Sequence, residues 1–243
     1  MTSQRIHWYK YASPGNLYRL AGQLIPWFAV PAGILFTIGL YFGLFVAPSD
    51  FQQGDAYRVL FVHVPAAWMG MLLYVLLAFY AAVGWAFNAR VSSMMASSLS
   101  VTGAMFTFLS LVTGSLWGRP TWGTWWVWDA RTTSTLILLF LYAGFIVLQS
   151  AIEDPRRADR AGAVLALVGV VNVPIIYFSV LWWNTLHQGA TIRFGDETRM
   201  AGSMLTPLVI MIAACWLYAV AAVLVRLRCL IREREPPGVT AQR

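Results

Sequence analysis

Three histidines, His7, His63 and His187, and one tryptophan-rich segment are the residues of this 243-residue chain whose types could support ligand chemistry. The segment is W-G-R-P-T-W-G-T-W-W-V-W-D-A-R-T-T, residues 117–133, and it holds Trp117, Trp122, Trp125, Trp126 and Trp128 within 12 positions, of 12 tryptophans in all. Tryptophan favours membrane interfaces, but an interfacial anchor needs only one or two rings per helix end. Five rings in one loop make a surface on which a flat macrocycle such as haem can stack, because aromatic rings bury a large area at low entropy cost. Both readings, anchor and platform, stay open on these residues alone. Imidazole is a good axial ligand for iron, and haem iron accepts two axial positions. No second close His or Cys offers the tetrahedral set that zinc prefers.

What positions these residues follows from composition. Hydrophobic residues make up 59% of the chain and charged ones 11%; a soluble domain carries about 25% charge. Six apolar runs, at about 24–47, 59–87, 97–116, 133–152, 162–183 and 203–225, are long enough to cross a bilayer. A segment in lipid must satisfy its own backbone hydrogen bonds, so each run is expected to be a helix; the alternation of a membrane barrel is absent. The fold class expected is an all-α integral membrane protein with six transmembrane helices, surrounded by lipid. One domain spans 1–231, and a short tail, 232–243, with Pro236, Pro237 and Gly238, reads as disordered.

The net charge of +7 does not indicate nucleic acid, because the basic residues are scattered through short loops and the two ends. Of the 17 Lys and Arg, 12 fall on one side of the six runs and 5 on the other. The richer side is expected to be cytoplasmic. Both termini are then inside, and the loops 48–58, 117–132 and 184–202 are outside. His63 would lie about 7–8 Å inside the outer end of span two, at 1.5 Å of rise per residue. An ionisable group at such depth is a functional candidate. His187 follows span five on the same side, facing the tryptophan loop; His7 lies inside and receives no role.

Asp129 reads as an N-cap of the fourth span. Arg131, and more weakly Arg119, could pair with a carboxylate through the guanidinium fork, Arg58 is a further candidate, and each Arg could equally be a solvated headgroup-level charge. Asp50, Asp55, Arg193, Asp196, Glu197 and Arg199 read as solvated loop charges. Gly118, Pro120 and Gly123 argue against regular helix at the start of the tryptophan loop, with a short helical turn expected from Thr124 onward. Pro31, Pro65, Pro174 and Pro207 fall inside spans and tend to kink them; Pro65 would free the Phe61 carbonyl beside His63. Cys215 and Cys229 have no redox or metal spacing. No phosphate-binding loop is present, so any ATP-driven step would need a partner.

The 117–133 loop resembles the WWD signature of haem-handling membrane proteins. Within them the chain is similar to the haem exporter or haem-handling protein C family of the Ccm-type (System I) cytochrome c maturation pathway. The resemblance covers nearly the whole chain, and His63 in H-V-P-A-A-W and His187 in T-L-H-Q-G match the two external histidine positions. Thr132 departs from the Leu common in such loops. The resemblance implies haem b held at the periplasmic face of a bacterial inner membrane, with His63 and His187 as axial ligands. Trp117, Trp122, Trp125, Trp126, Trp128 and Asp129 would form the platform, and Arg131 and Arg119 would meet propionates. It implies delivery of haem to a periplasmic haem chaperone, protein E, with a small membrane protein D and ABC transporter subunits A and B as further partners. On this reading the chain transfers haem and is not an enzyme. The rival is a haem lyase acting on apocytochrome c, whose relatives are typically longer and carry further histidines. A quinone-linked cytochrome b would need histidines mid-span, and a solute channel would need polar pore-lining residues.

Overall fold

The computed structural model describes residues 13–183, 185–187 and 200–235. Seven helices carry the fold: α1 (Pro14–Tyr41), α2 (Leu60–Phe87), α3 (Arg90–Trp122), α4 (Ala130–Ala151), α5 (Pro155–Gly169), α6 (Asn172–Trp182) and α7 (Gly202–Arg234). A π-helical segment, Phe42–Val46, extends α1, and a 3₁₀ turn, Asp55–Val59, leads into α2. Taken with these extensions, six helical stretches are long and apolar enough to cross a membrane, the fifth being α5 and α6 together over Pro155–Trp182. The protein is an all-α, six-span, multi-pass membrane protein.

The fifth span is one apolar run in sequence but two helices in space. Proline has no N–H, and its ring crowds the carbonyl four residues earlier; Pro174 therefore disrupts the helix at Val170, and α5 ends at Gly169. Pro31, Pro65 and Pro207 sit within α1, α2 and α7, which continue through them. The expectation for residues 117–122 needs correcting. Helix α3 runs through Gly118 and Pro120 to Trp122 and ends at Gly123, which adopts φ 78°. A proline in the last turn removes a single bond. The Thr121 hydroxyl donates to the Trp117 carbonyl at 2.6 Å, and Gly123 N–H closes the end on the Arg119 carbonyl. Residues 124–129 are irregular and contain no helical turn. Helix α7 extends to Arg234, beyond the expected boundary at 231.

The core is built where α2 crosses α3. Small residues allow close backbone approach in a bundle whose exterior is lipid. A Cβ on Gly70 would meet Thr107 Oγ1 at 2.7 Å, and one on Gly103 would overlap the Tyr142 hydroxyl. Tyr142 and Tyr74 meet edge to face at 4.9 Å, and the Tyr142 hydroxyl donates to the Gly70 carbonyl at 2.8 Å. The buried hydroxyls of α3 turn back onto their own helix: Ser98 donates to Met94 O, Thr107 to Gly103 O, Ser110 to Thr107 O. Each hydroxyl is satisfied within its own helix.

The described ends of the chain meet at one end of the bundle, where Arg90 pairs with Glu235 at 2.6 Å and Arg234 with Asp159 at 3.0 Å. The tryptophan loop, His63 and His187 lie at the opposite end. Cys215 is buried and Cys229 exposed, both free. His7, Arg193, Asp196, Glu197, Arg199 and residues 236–243 lie outside the described residues.

Candidate functional site

His63 sits on the first turn of α2, where the helix leaves the 3₁₀ turn. Its ring rests on Gly114 of α3, where a Cβ would come within 2.9 Å of Cε1, and Trp117 meets it edge-on at 5.8 Å. Its Nδ1 lies 3.1 Å from Thr113 Oγ1. The Thr113 hydroxyl donates to the Leu109 carbonyl at 2.6 Å, so its oxygen is left to accept. Nδ1 of His63 then carries the proton, and Nε2 keeps a free lone pair.

His187 reaches the same place from the segment after α6. Its Nδ1 lies 3.4 Å from Asp129 Oδ2, and its ring is 5.0 Å from that of Trp122. Burial pushes the His187 pKa below the usual histidine range, and the nearby Arg131 adds to this against the opposing pull of Asp129. His187 is therefore neutral at pH 7, and the contact is a hydrogen bond from Nδ1–H to the carboxylate. Again Nε2 is the nitrogen left for a ligand.

Asp129 does two things at once. As the N-cap of α4 it accepts from the Thr132 backbone N–H at 2.8 Å, while its second oxygen faces His187. Burial would raise its pKa, but the hydrogen bonds from the Thr132 backbone and side chain, together with His187, outweigh burial and hold the carboxyl below its ordinary value.

His63, His187, Asp129, Arg131, Trp122, Trp125 and Trp126 line one cavity, closed beneath by Gly70, Thr107, Ser110 and Gly114. Its volume is about 60 Å³, room for a few waters. Trp126 Nε1 is buried there with no hydrogen-bond partner among the described residues. Such a donor is costly to leave unpaired and suits a ligand that brings an acceptor. Arg131 donates from Nη1 to the Ile176 carbonyl of α6 at 3.2 Å, which ties the loop end to the fifth span.

Four expected contacts fall elsewhere. Trp117 packs behind His63 and donates from Nε1 to Gln53 Oε1 at 2.8 Å, bracing the loop before α2. Trp128 is 73% exposed and meets only the edge of Trp126, at 5.4 Å. Arg119 is exposed at the end of α3 and donates to the Gly123 carbonyl, away from the cavity. Arg58 is likewise engaged, pairing with Asp55 at 3.0 Å and donating to the Gly43 carbonyl at 3.1 Å.

Sequence reasoning missed Thr113 and the small residues beneath the cavity. The available signal was the spacing of Thr107, Ser110, Gly114 and Gly118 along one helical face. No group of three or more His, Cys, Asp or Glu fit to hold a metal ion occurs among the described residues. The arrangement brings two imidazoles, one from α2 and one from the segment after α6, onto a single cavity with aromatic walls.

A profile of the family described as "Heme exporter protein C" matches residues 7–241. The protein of that name from Escherichia coli strain K12 is 44% identical over 234 residues, covering 96% of this chain and 94% of its own length. The one from Haemophilus influenzae is 46% identical over 202 residues, 83% and 82% of the two chains. That from Bradyrhizobium diazoefficiens is 44% identical over 224 residues, 92% and 85%. This chain belongs to the heme exporter protein C family.

Proposed function

We propose that this protein binds haem b between His63 and His187 at the periplasmic face of a bacterial inner membrane and hands it to the periplasmic haem chaperone, protein E, for cytochrome c maturation. The observation that carries the reading is the pair of imidazoles, held through Nδ1 by Thr113 and Asp129, that share one cavity with Trp122, Trp125 and Trp126. Hydrogen bonding at one ring nitrogen orients the other as a metal ligand and raises its basicity. The relatives' name, heme exporter protein C, supports the same cargo. Protein D and ABC transporter subunits A and B would be this protein's further partners.

Haem is cargo here. A porphyrin is larger than this partly open cavity, so binding would widen it. Trp122 and Trp126 would then flank the ring, the Trp126 indole N–H would meet an acceptor, and Arg131 would stand near a propionate. Trp128 and Trp125, exposed at the rim, would meet the chaperone. The protein's contribution is positioning, with no acid or base acting on haem. The charge asymmetry between the two ends supports the periplasmic orientation of the site and a cytoplasmic location of both termini.

The test is the absorption spectrum of the purified protein, alongside His63→Ala and His187→Ala. The wild type is expected to retain haem with a two-histidine spectrum, and each variant to lose that signature. Retention of haem with an unchanged spectrum in both variants would refute the ligand assignment. Transfer to the chaperone is read separately, as haem bound to added protein E.

A further inference from the structure

At the end of the bundle opposite the tryptophan loop, two guanidiniums share one aromatic ring. The Arg228 Cζ lies 4.3 Å from the Tyr18 ring centroid, and the Arg232 Cζ lies 5.2 Å from it. Tyr18 is seated against the buried cluster of Met94, Leu227 and Ile231, so the ring is a fixed floor. The Arg228 guanidinium is let in by Gly22, where a Cβ would meet its Cζ at 3.0 Å.

Among the described residues these two charges have no carboxylate partner, whereas Arg90 and Arg234 at the same end each have one. Residues 1–12 and 236–243 contain no Asp or Glu. The buried Arg228 Nε has no hydrogen-bond partner among the described residues. Two like charges one helical turn apart repel, so gathering them on one ring calls for an anion between or above them.

We propose that Arg228, Arg232 and Tyr18, with Gly22 as the cradle, form a phosphate site filled by the headgroup of an anionic phospholipid. Helix α1 packs chiefly on α7, which puts the seam at the edge of the bundle, and Trp27 on α1 is 77% exposed. With this end of the bundle cytoplasmic, the seam would lie at the depth where tyrosine and arginine meet headgroups. Basic pockets between helices on the positively charged side suit anionic lipid phosphates. An isolated topology charge would point freely into water, whereas Arg228 is held against a ring and a glycine.

The experiment is native mass spectrometry of the full-length protein in detergent, with phosphatidylglycerol, cardiolipin, phosphatidylcholine or inorganic phosphate added separately. The wild type is expected to retain the anionic lipids over phosphatidylcholine. Arg228→Gln/Arg232→Gln is expected to hold them about tenfold more weakly. Gly22→Leu, which keeps both charges but fills the cradle, is expected to weaken retention too, and it serves as the reading if the double variant does not fold. Equal lipid retention by wild type and both variants would overturn the proposal and leave an acidic segment of a partner protein as the counter-charge. Displacement of the lipid by millimolar inorganic phosphate would overturn the lipid assignment in favour of the free anion.

Discussion

Nδ1 of His63 and Oγ1 of Thr113 lie 3.1 Å apart, and the Thr113 proton is already committed to the Leu109 carbonyl at 2.6 Å. A threonine hydroxyl that donates to its own helix accepts from the imidazole, and this arrangement favours the tautomer whose Nε2 is free. His187 reaches the same state by another route, through a carboxylate. A neutral hydroxyl and a charged carboxylate do not polarise their rings equally, so the two candidate ligands differ in donor strength.

Replacing Thr113 with Val keeps the shape and removes the acceptor. Haem affinity is expected to fall about 10–100-fold, the usual effect of losing such an outer partner, while Thr113→Ser stays near wild type. Haem titration followed in the Soret band checks this. Equal affinity for Thr113→Val and wild type would show that the tautomer is set elsewhere.

Asp129→Asn separates the two roles of that residue. Asn is as good an N-cap as Asp, so the cap should hold and only the stability tied to the carboxylate beside His187 should be lost. The carboxylate on His187 is lost, and with it electron donation to iron. The haem reduction potential is expected to rise and affinity to fall about 10–100-fold. Asp129→Ala should show the same haem phenotype with a further stability loss of about 1 kcal/mol from the missing cap. Potentiometry and thermal melting read the two effects independently.

Asp129 as a cap was legible in sequence because an Asp stood immediately before an apolar run. The six spans were legible for a similar reason, since length and apolarity are properties of the run itself. The break at Val170 was visible only as Pro174, one proline among several, and α2 tolerated Pro65 in the same bundle. Residues 117–122 misled because Gly and Pro punctuate helices in water, whereas here they close the last turn of a long one. Thr113 could not be read at all. Its role depends on which face of α3 meets α2, a pairing that local pattern does not encode. The tryptophans were found as a group, but their division into lining, bracing and exposed rings follows from the third dimension.

The pH dependence of the haem-free protein follows from the shifts at His187 and Asp129. Burial lowers the His187 pKa, so between that value and the ordinary value of about 6.5 the unfolded chain binds more protons than the folded one. Stability is then fully present above about pH 6.5 and declines as pH drops toward the folded value. Asp129 is also held low; its contribution is present above about pH 3.9 and disappears as pH falls through its folded value. Thermal midpoints from pH 8 to pH 4 should show the first decline, and His187→Gln should remove it. Loading with haem should persist below pH 6.5, because the neutral ring remains available there. A loading curve with its midpoint above that pH would contradict the burial of His187.

Gly114 offers the sharpest test that His63 is positioned by packing. A Cβ at that position would lie 2.9 Å from the His63 Cε1, and the ring has Trp117 edge-on at 5.8 Å, so it cannot move freely away. Gly114→Ala should therefore tilt the imidazole against Thr113 and lower haem affinity by about tenfold or more. Helix propensity runs the other way, since Ala is favoured over Gly in a helix interior by about 1 kcal/mol. The variant should consequently fold at least nearly as well as the wild type while binding less haem. Gly33→Ala is the matched control, because nothing lies within 4 Å of a Cβ there and the substitution is far from the site. It should leave haem binding unchanged and raise the melting temperature slightly. Loss of haem binding in both variants, or in neither, would show that the contact between α3 and the His63 ring does not set the ligand's position.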